Sequence, residues 1–502
     1  MSGDQVALKL PVSKDDQPPH PFKVAIIGAG IAGASAAYHL HDQHADADLD
    51  VTIYEAKPQV GGRIKAATVY DGAYTSQQVE TGVQSFYIND ECVQHLIDET
   101  GLRRKLQSHY PVKRSVAVWD GTHFVYRGAG DLKARTWTDW ARYAWRYGVS
   151  VNNMRQWLSM KLPQFQRVLG RSEYVDRNIT RSTENLGLTV ELKRNARSLL
   201  YNLTSPKFSR EIVQAITRAW LGQNLATMHG LAALAAMNPA ATDSVMNGGN
   251  HKLIERLIKL SDVDLNLNST VTKIQRSPIR KYRLTIETPS YDHDQAASNH
   301  EEAEYDIVVI AAPLQMADIE FDNHTHIAAT SRRPYTTRHV THFTSWNPLS
   351  STYFNLSSSS SMPSKIYTTS SADNSACPFF SIEHSEASLG LHGCKPQSEN
   401  MYKILTASPV LDATILSLIG QDPDRTLEDA GVRWVHREEW KHAFLEYDGG
   451  SMLDDMEIGA GIFYTGAGEE VVSSLEMSCR MGRRSAQLIH YATVAPELEL
   501  FY

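Results

Sequence analysis

An α/β fold is predicted for this chain of 502 residues by three observations. The first is VAIIGAGIAGASAAYHL, residues 24–40, a strand pattern that passes through a glycine-rich turn into an alanine-rich helix. The second is LDVTIYEA, whose alternating apolar residues read as another strand, ending in an acid, Glu55. The third is the return of similar elements far along the chain, in YDIVVIAAP and in GIFYTGAGEEVVSSLEMSCRMGRRSAQLIHY. Together they describe a Rossmann-like, glutathione-reductase-type dinucleotide-binding domain that is discontinuous in sequence, with an α+β domain inserted. We expect residues 21–105, 240–325 and 455–495 in the first domain, 106–239 and 326–454 in the second, and 1–20 as a flexible leader.

Composition narrows the function classes. The chain is 42% hydrophobic and 21% charged, ordinary for a globular protein. Its net charge of −8 argues against a nucleic-acid backbone as partner. No apolar run approaches the ~20 residues of a membrane span. The polar start, MSGDQVALKLPVSKDDQPPHPF, has no signal-like apolar core, so a cytoplasmic location is expected. Cys92, Cys377, Cys394 and Cys479 are scattered without a C-x-x-C pair. That predicts no metal site, no disulfide framework, and reduced buried thiols. The sequons at Asn178, Asn202, Asn268, Asn323 and Asn355 read as chance in a Ser/Thr-rich chain.

Along the chain, the Trp- and Arg-rich stretch at 130–165 has helical spacing. REIVQAITRAWLGQNLATMHGLAALAAM reads as two helices. LNLNSTVTKIQR and KYRLTIETP read as strands, and DHDQAASNHEEAE as an irregular acidic bulge. The segment LSSSSSMPS is a Ser-rich loop, and a final helix begins near Leu475. No internal repeat is visible.

Gly28, Gly30 and Gly33 fall at the G-x-G-x-x-G spacing, with the strand before and the helix after that the motif requires. The first two glycines let backbone amides approach a pyrophosphate, and the helix N-terminus favours its charge. Glu55 is placed to accept hydrogen bonds from ribose hydroxyls and to repel a 2′-phosphate, leaving NAD and FAD open. Three elements then favour FAD. Gly61, Gly62 and Arg63 resemble the Gly-Gly-Arg signature of flavin amine oxidases, in which the arginine steadies the pyrophosphate charge. Val271 and the strand from Tyr305 to Pro313 look like the pair that closes over the adenine. Gly466, Gly468 and Glu469 precede a helix whose start (Leu475, Glu476, Met477) would face the flavin's pyrimidine end.

Below that level the chain resembles the prenylcysteine oxidase (prenylcysteine lyase) family. The resemblance runs from about residue 22 to 495, through KVAIIGAGIAGASAAYHL, WRYGVSVNNMRQW, LGQNLATMHGLAALAAM, NGGNHKL, YDIVVIAAPLQ and SSLEMS. It departs at Glu80-Thr81-Gly82-Val83-Gln84, where the family's E-A-G-G-S has one more glycine, so Gly82 alone is assigned to the flavin there. Animal members also enter the secretory pathway.

The resemblance implies non-covalent FAD and a small prenylated substrate. A hydride leaves the allylic carbon beside the thioether sulfur, water adds, and a prenyl aldehyde and cysteine separate. Dioxygen reoxidises the flavin to give hydrogen peroxide. The aromatic stretches at 110–165 and 430–465 are expected to line an apolar channel. Lys403, matching a family W-K-I-F phrase, is expected near the flavin or the substrate carboxylate. Trp440, Lys441 and Tyr87 complete the catalytic candidates, and Gln223 is a guess from position. Other readings are an oxidative cyclase of prenylated secondary metabolites, an amine oxidase, and a non-catalytic prenyl-binding protein of the GDI type. The oligomeric state is not predicted.

Overall fold

The computed structural model describes residues 21–43, 49–70, 77–82, 86–87, 90–108, 115–129, 137–168, 178–238, 243–289, 298–325, 327, 333–369, 377–389, 397–447 and 453–494. The expected leader lies outside these. The first sheet is six-stranded and centres on β1 (Phe22–Ile27). On one side β1 pairs in parallel with β2 (Leu49–Tyr54), which pairs with Asp264–Asn266. On the other it pairs with Ile307–Ile310, then Ile462–Tyr464, and Glu457–Gly459 closes that edge antiparallel. Three distant segments therefore build one sheet. All four residues of Ile307–Ile310 are buried, as are Val24, Ala25, Ile26 and Ile27. This is the continuous apolar run of a parallel sheet covered on both faces.

Helices α1 (Ile31–Gln43) and Leu475–Val494 pack together on this sheet. Contact is close because Gly482 has no side chain: a Cβ there would stand 2.2 Å from the Ala32 carbonyl oxygen. Ser35 Oγ donates to the Cys479 carbonyl at 2.8 Å. The expectation of four reduced thiols is corrected here. Cys92, on α2 (Glu91–Glu99), and Cys479 form a disulfide 387 residues apart in sequence. No local spacing announces such a bond, because the helix packing alone brings the two sulfurs together. Cys377 is a free thiol, and Cys394 lies outside the described residues.

A four-stranded sheet holds Thr270–Arg276, Tyr282–Pro289, Ser298–Tyr305 and Glu320–Phe321. The strand Ser298–Tyr305 takes in the second half of the segment expected to be an acidic, disordered-looking bulge, residues 292–304. Arg283, opposite Glu304, bridges Glu302 and Glu304, and Glu287 stands opposite His300. Tyr305 meanwhile turns inward to hydrogen-bond Tyr54 through their hydroxyls at 2.7 Å.

The seven-stranded sheet runs, in spatial order, Val432–Leu445, Tyr335–Ser345, Gln397–Thr406, Ser381–Leu389, Lys365–Thr368, Ser115–Trp119 and Phe124–Ala129. The hairpin of β3 (Ala66–Val69) and β4 (Gln77–Glu80) docks on one of its faces. Val69 and Val79 pack there on Met401 and Trp434, and the Tyr70 hydroxyl meets Thr344 Oγ1 at 2.6 Å. The region 178–238 is helical. Gln214–Leu221 ends at left-handed Gly222 (φ +59°), and His229 caps Gly230–Ala236 by accepting the Ala232 amide, so the two predicted helices are present.

Candidate functional site

The glycine turn leaves the C-terminal end of β1, between strands that depart to opposite sides of the sheet. That is the switch point where α/β sheets open a crevice for ligands. Gly28 adopts φ +109°, and its amide is held by the Tyr54 carbonyl at 2.8 Å. A Cβ on Gly33 would sit 2.0 Å from the Gly28 oxygen, so helix and turn require that glycine. Gly61 (φ +121°) donates to the Ala29 carbonyl at 2.9 Å and brings Gly62 opposite Gly30. A Cβ built on Gly30 meets only the Gly62 Cα, at 4.0 Å. The space between these glycines is a cradle that a side chain would fill and that suits a dinucleotide pyrophosphate. Glu55 is 7% exposed at the rim, accepting the Ala29 amide at 2.8 Å and the Lys57 amide at 3.0 Å. The Ser269 amide donates to the Glu55 carbonyl at 2.9 Å, which brings buried Val271 to the same end of the sheet.

Arg63 and Glu469, 406 residues apart, meet in a two-pronged ion pair, Nη1 to Oε2 at 2.9 Å with Nη2 on Oε1. Tyr335 and Ser473 donate to the same carboxylate at 3.1 and 3.3 Å. Burial opposes the charge on Arg63, but Glu469 outweighs it and raises the guanidinium pKa above its ordinary value. The arginine thus anchors the Gly-Gly-Arg loop to the C-terminal element. The helix Leu475–Val494 starts at the predicted residue, with Ser474 Oγ accepting the Met477 amide at 3.1 Å. Leu475 and Met477 are buried, and Gly466 lines a small cavity with Leu314, Tyr335, Leu445 and Tyr464. Glu476 is occupied elsewhere: its two oxygens accept the amides of Cys92 and Val93 at 3.0 and 3.1 Å and pair with Arg480.

The catalytic candidates separate. Trp440 Nε1 donates to the Thr81 carbonyl at 2.9 Å, and the ring lies against Gly82. A Cβ on Gly82 would stand 2.0 Å from the Arg63 oxygen, so this glycine is required by close approach of two loops. Lys441 is the next residue on the same strand, is exposed, and leaves the opposite face. Tyr87 pairs through its backbone with Asp243, and its side chain lies outside the described residues. Gln223 braces backbone, with Nε2 on the Leu445 carbonyl at 2.8 Å. Of the expected channel aromatics, Tyr143 and Tyr147 pack edge to face with each other and with Phe208, and Trp145 is 89% exposed.

Lys403 faces the hairpin, and there it meets a residue that sequence reasoning passed over. Glu80, at the end of β4, is 5% exposed and accepts the Asn250 amide at 2.6 Å. Burial pushes the Glu80 carboxyl up to about 7, although the Asn250 amide and Lys403 oppose the shift. Burial lowers Lys403 to about 8, against the pull of Glu383 and Glu80. Glu80 opens the ETGVQ phrase, where a lone acid carries no local sign of its burial.

The parallel sheet, the glycine cradle at its switch point and the second sheet over it define a flavin amine oxidase-like fold. A solved structure of a putrescine oxidase variant superposes with a TM-score of 0.60 at 16% identity, covering 93% of this chain and 99% of that one. Residues 26–100 match the NAD(P)-binding Rossmann-like domain. Residues 132–497 match the prenylcysteine lyase family, and the chain belongs to that family. The mouse (Mus musculus) protein named prenylcysteine oxidase 1-like is 24% identical over 489 residues, 94% of this chain and 90% of the relative. Farnesylcysteine lyase of Arabidopsis thaliana is 25% identical over 494 residues, 93% and 88% of the two chains.

Proposed function

We propose that the protein is an FAD-dependent oxidase that cleaves the thioether of a prenylcysteine, giving a prenyl aldehyde, cysteine and hydrogen peroxide. The balance is one thioether, one water and one dioxygen consumed. When bound, FAD supplies the two-electron acceptor for the allylic carbon and hands the electrons on to dioxygen. The protein's residues hold and exclude. Gly28, Gly30, Gly61 and Gly62 admit the pyrophosphate, with Glu55 and Val271 at the nucleoside end. Arg63 and Glu469 lock together the two loops that flank it. Gly82, Trp440 and the Thr81 carbonyl form the wall nearest the second sheet.

The observation that carries this reading is a complete dinucleotide cradle in a member of the prenylcysteine lyase family. Non-covalent attachment belongs to the same proposal, as do dioxygen as co-substrate and the absence of a nucleic-acid partner. No described helix is long and apolar enough to cross a membrane. The Cys92–Cys479 bond favours an oxidising compartment over the cytoplasm expected from the sequence. The test is to purify the protein, release flavin with acid, and compare peroxide formation from farnesylcysteine, prenylated phenols and amines. Yellow protein that turns over farnesylcysteine supports the proposal. Colourless protein, or turnover of phenols or amines alone, overturns it.

A further inference from the structure

Trp145 is 89% exposed, and Val149, just past the end of the same helix, is 75% exposed. The packing beneath them forces both outward. Arg146 pairs with Glu211 through hydrogen bonds of 2.8 and 2.9 Å, and the Tyr147 hydroxyl donates to the same carboxylate at 2.9 Å. Trp145 lies about 200° round the helix from Tyr147 and so leaves the other side. The chain then turns at left-handed Gly148 (φ +55°) into Ser150–Val168, where the Ser205 amide donates to Ser150 Oγ at 2.9 Å. The corner is held from within, and its tip is apolar. Met160, also exposed, continues the same face about three helical turns on.

The surroundings of this tip are basic. Ser150–Val168 carries Arg155, Lys161 and Arg167 and no acid. Residues 137–218 hold 14 Lys and Arg against six Asp and Glu, in a chain whose net charge is −8. Two of those acids, Glu191 and Glu211, are buried against Lys161 and Arg146. Lys207 and Arg210, which follow Ser205 beside the corner, are exposed. An indole and a valine standing clear of the fold among cations suit the boundary between lipid headgroups and acyl chains. There the apolar groups leave water and the cations meet phosphate.

We propose that this corner docks the protein on an anionic lipid surface, with Trp145 and Val149 among the acyl chains and Lys207 and Arg210 against the headgroups. An acidic protein would match the charge but would give the protruding indole no apolar medium to enter. The docked unit is joined to the site. Gln214–Leu221 runs on from the Ser209–Val213 turn, and Gln223 beyond it holds the carbonyl of Leu445, which lines the cavity beside Gly466. The proposal goes beyond the prenylcysteine reading and stands without it. With that reading, the enzyme sits where a compound with a long hydrocarbon tail collects.

The test is co-flotation of the FAD-loaded protein with phosphatidylcholine vesicles, with and without about a third phosphatidylserine. Wild type is expected to bind the serine-containing vesicles about 10-fold or more tightly than the neutral ones. That preference should shrink as salt rises from about 0.1 to about 0.5 M. Brominated acyl chains should quench part of the tryptophan fluorescence. The double variant Trp145→Ser, Val149→Ser should bind about 10-fold or more weakly and lose that quenching. Lys207→Glu, Arg210→Glu should lose the preference for anionic vesicles, with melts and flavin absorbance reporting the fold of both variants. Wild type that stays in solution with the anionic vesicles overturns the proposal, and so does binding that both double variants keep intact. Binding to polyglutamate without binding to vesicles also overturns it, in favour of an acidic protein partner. Flotation is read without substrate, so a failure to turn over farnesylcysteine overturns the activity alone.

Discussion

At the scale of single residues, the cradle depends on atoms that are missing. Gly30 and Gly62 face each other through their Cα atoms, and neither Gly30 nor its neighbours need the glycine for packing. A methyl group at Gly30 therefore occupies ligand space without disturbing the fold. Gly30→Ala is expected to purify with a wild-type melt before flavin addition and with less than about a tenth of the flavin, read by the visible spectrum. Glu80 gives a second prediction, in pH. Its folded carboxyl sits at about 7, above the ordinary 4.5, so the native state binds a proton more tightly than the unfolded chain. The stability this contributes is complete below pH 4.5 and is lost as pH rises to 7. The loss is at most about 3 kcal/mol. Urea unfolding across that window should show the decline in wild type and a flatter profile in Glu80→Gln. The glycines were legible because their spacing repeats a backbone requirement. Glu80 was not, since its environment is assembled from a turn and a strand more than 150 residues away.

At the scale of elements, helix α2 begins without a cap of its own: Asp90 makes no side-chain hydrogen bond to its first turn. Glu476, on another helix, supplies that role to the Cys92 and Val93 amides. Glu476→Ala leaves those donors open and Arg480 without its near neighbour. A loss of about 1–2 kcal/mol in unfolding free energy is expected. An unchanged melting temperature would contradict this capping. The same element shows the limit of reading function from a phrase. SSLEMS announces a helix start, and Ser474 caps it as the pattern requires. Which way Glu476, the fourth residue of the phrase, then points depends on α2, which the phrase does not contain. Ser298–Tyr305 is the converse case, where charged residues hid a strand because their partners lie on the neighbouring strand.

At the scale of the whole molecule, one sheet is assembled from segments that begin near residues 22, 264 and 457. The strands Phe22–Ile27, Leu49–Tyr54 and Ile307–Ile310 were visible in the sequence because each carries its own apolar run, whereas Asp264–Asn266 and Glu457–Gly459 carry none. The bond that fastens the arrangement was not visible either, since Cys92 and Cys479 share no local pattern. Closing so long a loop restricts the unfolded chain, a contribution of about 3–5 kcal/mol. The double variant Cys92→Ser, Cys479→Ser should melt several degrees lower. Peptide mapping without reductant should recover the two cysteines as one cross-linked peptide. Recovery of both as free thiols would contradict the bond.

The disulfide also decides what happens to a cut chain. Residues 92 to 479 form a closed ring that takes in the whole second sheet and all of its loops. A protease that nicks any single loop within that ring opens it without parting the molecule. The two fragments stay joined at the helix pair behind the dinucleotide cradle. Such a cut can cost the enzyme its substrate domain's geometry while the protein still migrates as one species, until a reductant lets the halves go.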